Sequence, residues 1–459
     1  MLSQHTPPTR ARRRWLAVCS PLRSSSGERL PSMNRLAAAS VSAALVAALV
    51  TSGAALARDE GDAVELYRTD LPPLATIDGV EISGGAYGSS LFPVPGSPDE
   101  YYGITDRGPN VDGPNDVKVE PIPDFTPAIG RFKLVDGKAE LESTIPLRAA
   151  DGTPYSGRLN SEASTGETIV DRDGKPLDPD PNGYDPEGLV ALPDGTFWIS
   201  DEYGPFITRF GADGRAIERV SPFNGGLPAE LAHRAPNQGM EGLTITPDGR
   251  TLVGMMQSAL QQPDLTVEQD EVTVTRIVTY DLATRATHEH VYLLDDPKDN
   301  EGAVSEITAL SSTEFVVDER DGDLGPGAHK KLFKIDLTGA TDVQGRDVDG
   351  KSIEAHVGAK STADAKKALD EAGIKPVSKD LFLDLDALIT ETGVFNHDKI
   401  EGVAVRDGGR TIVISNDSDF GIDGVTNDTP PYQLKPKTLP DGTQDDGEFL
   451  KIDMTKLND

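Results

Sequence analysis

The sequence predicts an all-β chain folded as a β-propeller of five to six four-stranded blades, with loop insertions and one short helical insertion. Three observations lead there. A hairpin-like unit recurs along the chain, and three copies turn on an Asp-Gly pair. Forty-six glycines and 34 prolines set frequent turns. Aromatic residues make up only 5% and hydrophobic residues 37%, enough for a packed core without long helices. A β-sandwich would bury the same strands but would not explain the repeat.

The units can be read in order. The first runs from Ile82-Ser83-Gly84 to Asp106-Arg107. The second is Glu187-Gly188-Leu189-Val190-Ala191-Leu192, the turn Pro193-Asp194-Gly195, then Thr196-Phe197-Trp198-Ile199-Ser200-Asp201-Glu202. The third opens Glu241-Gly242-Leu243 and turns at Pro247-Asp248-Gly249; the fourth runs from Glu306 to Asp318-Glu319. The fifth opens Glu401-Gly402-Val403 and closes Ser415-Asn416-Asp417. A second hairpin follows several of these, as at Ile207–Phe210, which completes four antiparallel strands per blade. Glu65-Leu66-Tyr67 meeting Phe449-Leu450-Lys451-Ile452 would close the ring, and a sixth blade has room in the insertions. Residues 148–185 read as a loop, and Thr362–Leu369 as the helix. Within the second unit, one of Phe197 and Trp198 should be core and the other should lie between blades. His288 and His290 alternate on a strand and are expected to face solvent.

Residues 1–57 read as a leader, and 58–459 as the propeller domain. An uncharged Ala-rich run lies between Arg35 and Arg58 and closes on Ala55-Leu56-Ala57, a signal-peptidase pattern, with Met33 as the expected start. The run is too poor in large apolar residues for a stable membrane anchor. Cleavage near Ala57 would give a secreted or periplasmic protein. The whole chain carries a net charge of −32, and removal of the leader makes it more acidic, with 37 basic against 75 acidic residues. Nucleic acid is excluded as a partner, since phosphate backbones need a basic face. The single cysteine, Cys19, lies in the leader, which excludes disulfides and thiolate metal sites.

The repeat also positions chemistry. Antiparallel pairing returns each hairpin to its starting edge, so the carboxylates that open and close it share one end of the blade. Around a ring this gathers Asp106, Glu187, Asp201, Glu202, Glu241, Glu306, Asp318, Glu319, Glu401 and Asp417 at one mouth of the channel. Two unit charges about 4 Å apart repel by roughly 4 kcal/mol at an effective dielectric of 20. Bound cations, Arg107 and Arg320, or raised pKa values must relieve this crowding. Oxygen ligands in such number suit Ca²⁺ best and Mg²⁺ second. Asp106, Asp201, Glu241, Glu306, Asp318, Glu401 and Asp417 are the candidate ligands. Glu187, Glu202 and Glu319 are the candidate general bases, and Arg107 and Arg320 the candidate anion binders. The same acids would otherwise cap turns and fix blade edges.

Nucleophile elbows, Walker loops, H-E-x-x-H and paired C-x-x-C are absent. Together, Ile82-Ser83-Gly84…Asp106-Arg107-Gly108, Asp185-Pro186-Glu187-Gly188-Leu189…Ser200-Asp201-Glu202-Tyr203-Gly204-Pro205, Glu241-Gly242-Leu243, Asp318-Glu319-Arg320-Asp321 and Lys399-Ile400-Glu401-Gly402-Val403…Asn416-Asp417 resemble the phytase-like family, described as having esterase-like activity. The resemblance spans about residues 70–455. It departs at Gly84-Gly85 and at Gln257, where other units carry an acid. The resemblance implies a secreted propeller that hydrolyses small anionic phosphoesters or carboxylesters. A non-catalytic binding propeller and a lactonase-like enzyme are the alternatives.

Overall fold

The computed structural model describes residues 63–163 and 166–457; the expected leader lies outside them. Among the described residues, five four-stranded blades form the molecule. Blade I comprises Ser90–Pro93, Glu100–Ile104, Ala128–Val135 and Lys138–Pro146. Blade II comprises Pro186–Ala191, Phe197–Asp201, Ile207–Phe210 and Ala216–Val220. Blade III comprises Met240–Ile245, Thr251–Met256, Val274–Asp281 and Thr287–Leu293. Blade IV comprises Ala303–Ala309, Glu314–Arg320, Lys330–Asp336 and Ser378–Asp384. Blade V takes Ile400–Arg406, Thr411–Asn416 and Glu448–Asp453, then borrows Val64–Arg68 as its outer strand. That last pairing sets Leu66 opposite Leu450, as the sequence predicts, but it completes the fifth blade rather than a sixth.

The hairpins form where their turns demand it. In blade II, Gly195 takes φ +83° and the Asp194 carboxylate accepts the Thr196 amide at 2.9 Å. The equivalent turn in blade III sets Gly249 at φ +70°, with Asp248 accepting the Arg250 amide at 3.1 Å.

Packing between blades repeats around the ring. Leu189, Ile199 and Phe197 of blade II meet Ile104 and Ile129 of blade I. Trp198 and Val190 meet Leu243 and Leu252 of blade III. Strand alternation therefore sends Phe197 and Trp198 into two different interfaces, so neither is a core residue of its own blade. Met255 and Ile277 meet Ile307 and Phe315 of blade IV, Val316 and Leu332 meet Val403 and Ile412 of blade V, and Val413 and Phe449 return to Leu91 and Phe132 of blade I. A ring closed by alternating strand faces needs no separate core.

Insertions decorate this ring. Helix Thr362–Glu371 forms where expected, its N-terminus capped by Ser361, and helix Ile353–Val357 precedes it. Both pack on the outer strands of blade III through Val357, Leu369, Val274 and Val291. A further helix, Leu385–Thr392, links blades IV and V. His288 faces solvent as expected while bonding Asp342 at 2.7 Å, whereas His290 is half-buried against the Thr341 carbonyl of the same insertion. Ile82 lies on an accessory hairpin rather than in blade I. That hairpin, Val111–Asp112, Val117–Glu120 and Ile422–Val425 share one apolar cluster beside the mouth. Among the described residues no helix is long and apolar enough to cross a membrane.

Blade V is tied to its borrowed strand by charge. Buried His397 bonds Asp445 at 2.9 Å and Glu448 at 3.1 Å, and Arg68 holds the other oxygen of Glu448 at 2.6 Å. Burial alone would lower the His397 pKa, yet Asp445 and Glu448 raise it from 6.5 to about 9. A raised pKa stabilises the fold fully below pH 6.5, and this contribution fades as pH rises through about 9. Urea unfolding should therefore lose a few kcal/mol at most between those limits, and His397→Gln should remove most of that pH dependence. A wild type and variant with parallel stability–pH curves would contradict this.

Candidate functional site

The five inner hairpins share one register. Leu91 pairs Gly103, Leu189 pairs Ile199, Leu243 pairs Gly254, Ile307 pairs Val317 and Val403 pairs Ile414. In blades II to V the pairing breaks at a bulge just toward the mouth, between Pro186 and Leu189 in blade II. A bulge re-aims the side chains next to it. Three residues beyond each paired second-strand residue stand Asp106, Glu202, Gln257, Arg320 and Asp417, and all five line one cavity. Two residues before each paired first-strand residue stand Ser89, Glu187, Glu241, Ser305 and Glu401, of which the three glutamates line the same cavity. The mouth is thus two stacked rings.

Between them, the bulge places Gly188, Gly242 and Gly402 where neighbouring strands touch. A Cβ on Gly242 would sit 2.5 Å from the Ile307 amide nitrogen, so no larger residue fits without displacement. Blade IV puts Glu306 at this inner position. Its carboxyl accepts the amides of Leu243 at 3.2 Å and Ile307 at 2.9 Å, and the Ser90 hydroxyl donates to it from blade I. Blades I and IV are not neighbours in the ring, so Glu306 reaches across the axis beneath the mouth. It plugs the channel.

The cavity has a volume of about 450 Å³. Arg107 donates to Tyr203, to Asn237 at 2.7 Å and to Asn110 at 3.0 Å, while its backbone amide donates to Asp185 at 2.9 Å. The Gln257 amide donates to Glu202 at 3.0 Å and also to Glu241, holding the pair together without adding charge. On the opposite wall Arg320 donates to Glu401 and to Ser305 at 3.0 Å. Lys399 bonds Asp417 at 3.0 Å and Asp419 at 2.6 Å. Ten carboxylates and four basic side chains line the cavity.

That imbalance shows in their proton affinities. Burial, then Glu241 and Asp185, pushes the Glu187 carboxyl well above the usual range; burial and Glu241 do the same to Glu202. Burial raises Glu241 to about 7 against the pull of Arg320 and Gln257. Glu401 rises to about 8 through burial and Asp417, and Asp106 rises well above its range through burial, Asp417 and Asp185. Without a further positive charge, the mouth keeps protons.

The structure brings together Asp106, Arg107, Glu187, Glu202, Glu241, Arg320, Glu401 and Asp417. Four other sequence candidates, Asp201, Glu306, Asp318 and Glu319, sit elsewhere. The Asp318-Glu319 pair is one residue out of step with Asp201-Glu202, so Arg320 and not Glu319 occupies the ring position of Glu202. Glu319 and Asp201 face away from the channel. Glu319 is filled by Tyr292 at 2.8 Å, the Asp295 amide at 2.8 Å, His329 at 2.9 Å and Lys379 at 2.7 Å. Burial works to raise its pKa, but His329 and Lys379 prevail and lower it. Asp201 accepts the Asp185 amide at 2.8 Å, and burial raises it to about 7. Asp318 is buried with both oxygens unpartnered and is raised to about 8 by burial. Glu306 is the plug. Sequence reasoning missed Asp185 and Lys399 as site residues, although both precede their Glu-Gly pair by two residues. It also missed Asp419, Asn110 and Asn237, which come from loops without a repeat signal.

Asp185, Glu187 and Glu202 each offer an oxygen, and these atoms lie within 4.8 Å of one another. An all-oxygen donor set that retains surplus negative charge fits a hard divalent cation. The second acidic group, Asp295, Glu319 and His329, does not fit, because Glu319 already has a donor for each lone-pair direction used.

Burial holds the Glu306 carboxyl well above its ordinary pKa. Glu306→Gln should keep the amide contacts and unfold near the wild-type urea midpoint. Glu306→Ala should cost about 1–3 kcal/mol by leaving buried donors unpaired. Equal losses in the two variants would show that the carboxyl matters as a charge.

A protein from Arthroderma benhamiae described as an uncharacterized secreted protein is 28% identical over 309 residues, which covers 56% of this chain and 59% of that relative. The chain therefore spans well under two thirds of the curated relative. Among solved structures, a streptogramin B lyase aligns with 12% identity, TM-score 0.31, over 85% of this chain and 97% of that one. An α-L-arabinofuranosidase from Podospora anserina aligns with 9% identity, TM-score 0.35, over 84% and 96%. A model of the phytase-like family, described as esterase-like activity of phytase, matches residues 83–420, and the chain belongs to that family.

Proposed function

We propose that this protein is an exported, cation-assisted hydrolase of small phosphoesters that acts at the mouth of the propeller. The observation that carries the reading is the mouth's ten carboxylates against four basic groups, with three oxygens converging at Asp185, Glu187 and Glu202. A polar lining supports a phosphoester over an apolar acyl ester: Val111 and Ile422 are the aliphatic side chains that line the cavity, too few to hold a fatty chain. The secreted relative and the Ala55-Leu56-Ala57 pattern support export.

Asp185, Glu187 and Glu202 would hold the cation, with Ca²⁺ the best match to hard, flexible carboxylates. Once bound, such an ion polarises a phosphoryl oxygen and acidifies water. Glu241, raised to about 7 and steadied by Gln257, is poised to accept the proton of the attacking water near neutral pH. Arg107, pre-oriented by Tyr203, Asn237 and Asn110, orients the phosphoryl oxygens, with Arg320 facing it from blade IV. The new P–O bond forms from water, the ester P–O bond breaks, and the leaving alcohol takes a proton.

Residues 58–459 should hydrolyse p-nitrophenyl phosphate with Ca²⁺ and lose turnover in EDTA. Glu241→Gln should lower kcat by about 10²-fold or more with the fold intact, while Arg107→Ala should mainly raise KM. Turnover of p-nitrophenyl butyrate but not the phosphate, or activity indifferent to EDTA and to both variants, would overturn the reading.

A further inference from the structure

Behind the mouth, positive and negative groups alternate through the protein without a break. Lys399 touches Asp417 and Asp419, both in the cavity lining. Asp419 meets Lys437 at 2.7 Å, and Lys437 meets Asp398 at 2.7 Å and Asp445 at 3.2 Å. Asp445 meets His397, which meets Glu448, which meets Arg68. Lys437, His397 and Asp445 are all buried. The far end opens on a second cavity of about 790 Å³, lined in part by Arg68, His397, Asp446 and Glu448.

Such a chain couples its ends, because each carboxylate is shared. Asp445 divides one oxygen between His397 and Asn416, which donates at 3.2 Å, and turns the other to Lys437. Asp419 gives one oxygen to Lys399 and one to Lys437. If His397 lost its charge, Asp445 would draw harder on Lys437, Lys437 would loosen on Asp419, and Asp419 would compete better with Asp417 for Lys399. The other charged groups around His397 are Glu448, carrying Arg68 from the borrowed strand, its chain neighbour Asp398, and Asp446 and Asp441 along the second cavity.

We propose that His397 and Lys437, outside the mouth, are positioning residues that act through Asp445 and Asp419 to hold Lys399 against Asp417. The idea rests on the reading of the mouth as a site for its purpose only, not for its geometry. Neither residue lines the cavity itself; Lys437 reaches it only through Asp419.

The direct test is the ammonium signal of Lys399 in residues 58–459 carrying ¹⁵N-lysine, assigned by its loss in Lys399→Arg. In the wild type the signal should exchange slowly and shift along the titration of His397. His397→Gln and Lys437→Met should move the Lys399 ¹⁵N signal away from its wild-type position, because the ammonium passes from Asp417 toward Asp419. Lys437→Arg should leave the signal in place, since a guanidinium keeps the charge. A Lys399 signal unchanged in the two folded variants overturns the proposal. If the variants do not fold, a wild-type Lys399 signal that ignores the His397 titration overturns it. Hydrolysis of p-nitrophenyl phosphate is read in parallel. A responsive Lys399 without hydrolysis defeats the hydrolase reading and leaves the positioning role standing; hydrolysis with an indifferent Lys399 does the reverse.

Discussion

Five inner strands converge on one axis, closely enough that neighbouring backbones touch, and the rest of the structure depends on that contact. It explains why the pairing breaks at a bulge near the mouth in four of the blades. Three of those bulges carry glycine where the adjacent strand arrives; Gly188 faces the Glu241 carbonyl and the Leu243 amide. The bulge then turns the residue before it toward the axis, and that residue is Glu187, Glu241 or Glu401. Where blade IV puts Glu306 in place of glycine, the side chain closes the channel and bonds the strands that a glycine would merely admit. Backbone crowding and the ring of carboxylates are one constraint seen twice.

The charge at the mouth follows from this geometry and sets its chemistry. On one wall Arg320 and Lys399 answer Glu401, Asp417 and Asp419, two cations to three acids. On the other, Asp185 and Glu202 face Arg107, and Gln257 joins Glu202 to Glu241 without adding charge. Burial makes unpaired negative charge there costly, and the raised proton affinities record the cost. A hard cation would relieve it where a further arginine would fill the space. The asymmetry between walls, rather than acidity as such, marks where an ion and a phosphoryl group would meet.

Much of this was legible in the sequence. Glu-Gly followed by an aliphatic strand and an Asp-Gly turn identified blades II, III and V, and the pairing of the two termini followed from matching strand patterns. The family resemblance rested on the same motifs. Blade IV deceived because Asp318-Glu319 looks like Asp201-Glu202, while the pairing of Ile307 with Val317 shifts it by one. A one-residue shift turns each side chain to the opposite face of a strand, which is why Arg320 replaced Glu319 in the ring. Asp201 was misplaced by its neighbour's role, since alternation allows only one of two adjacent acids to face the axis. Asn110, Asn237 and Asp419 lie on connections that follow no period, and only the folded chain brings them to Arg107 and Lys399.

The measurement that bears most directly on the account is diffraction from crystals of residues 58–459 grown with CaCl₂, recorded at a wavelength where calcium scatters anomalously. A calcium peak is expected about 2.3–2.6 Å from oxygens of Asp185, Glu187 and Glu202, on the wall of Arg107. No peak there at millimolar Ca²⁺, with those carboxyls hydrogen-bonded to one another as neutral acids, would contradict it.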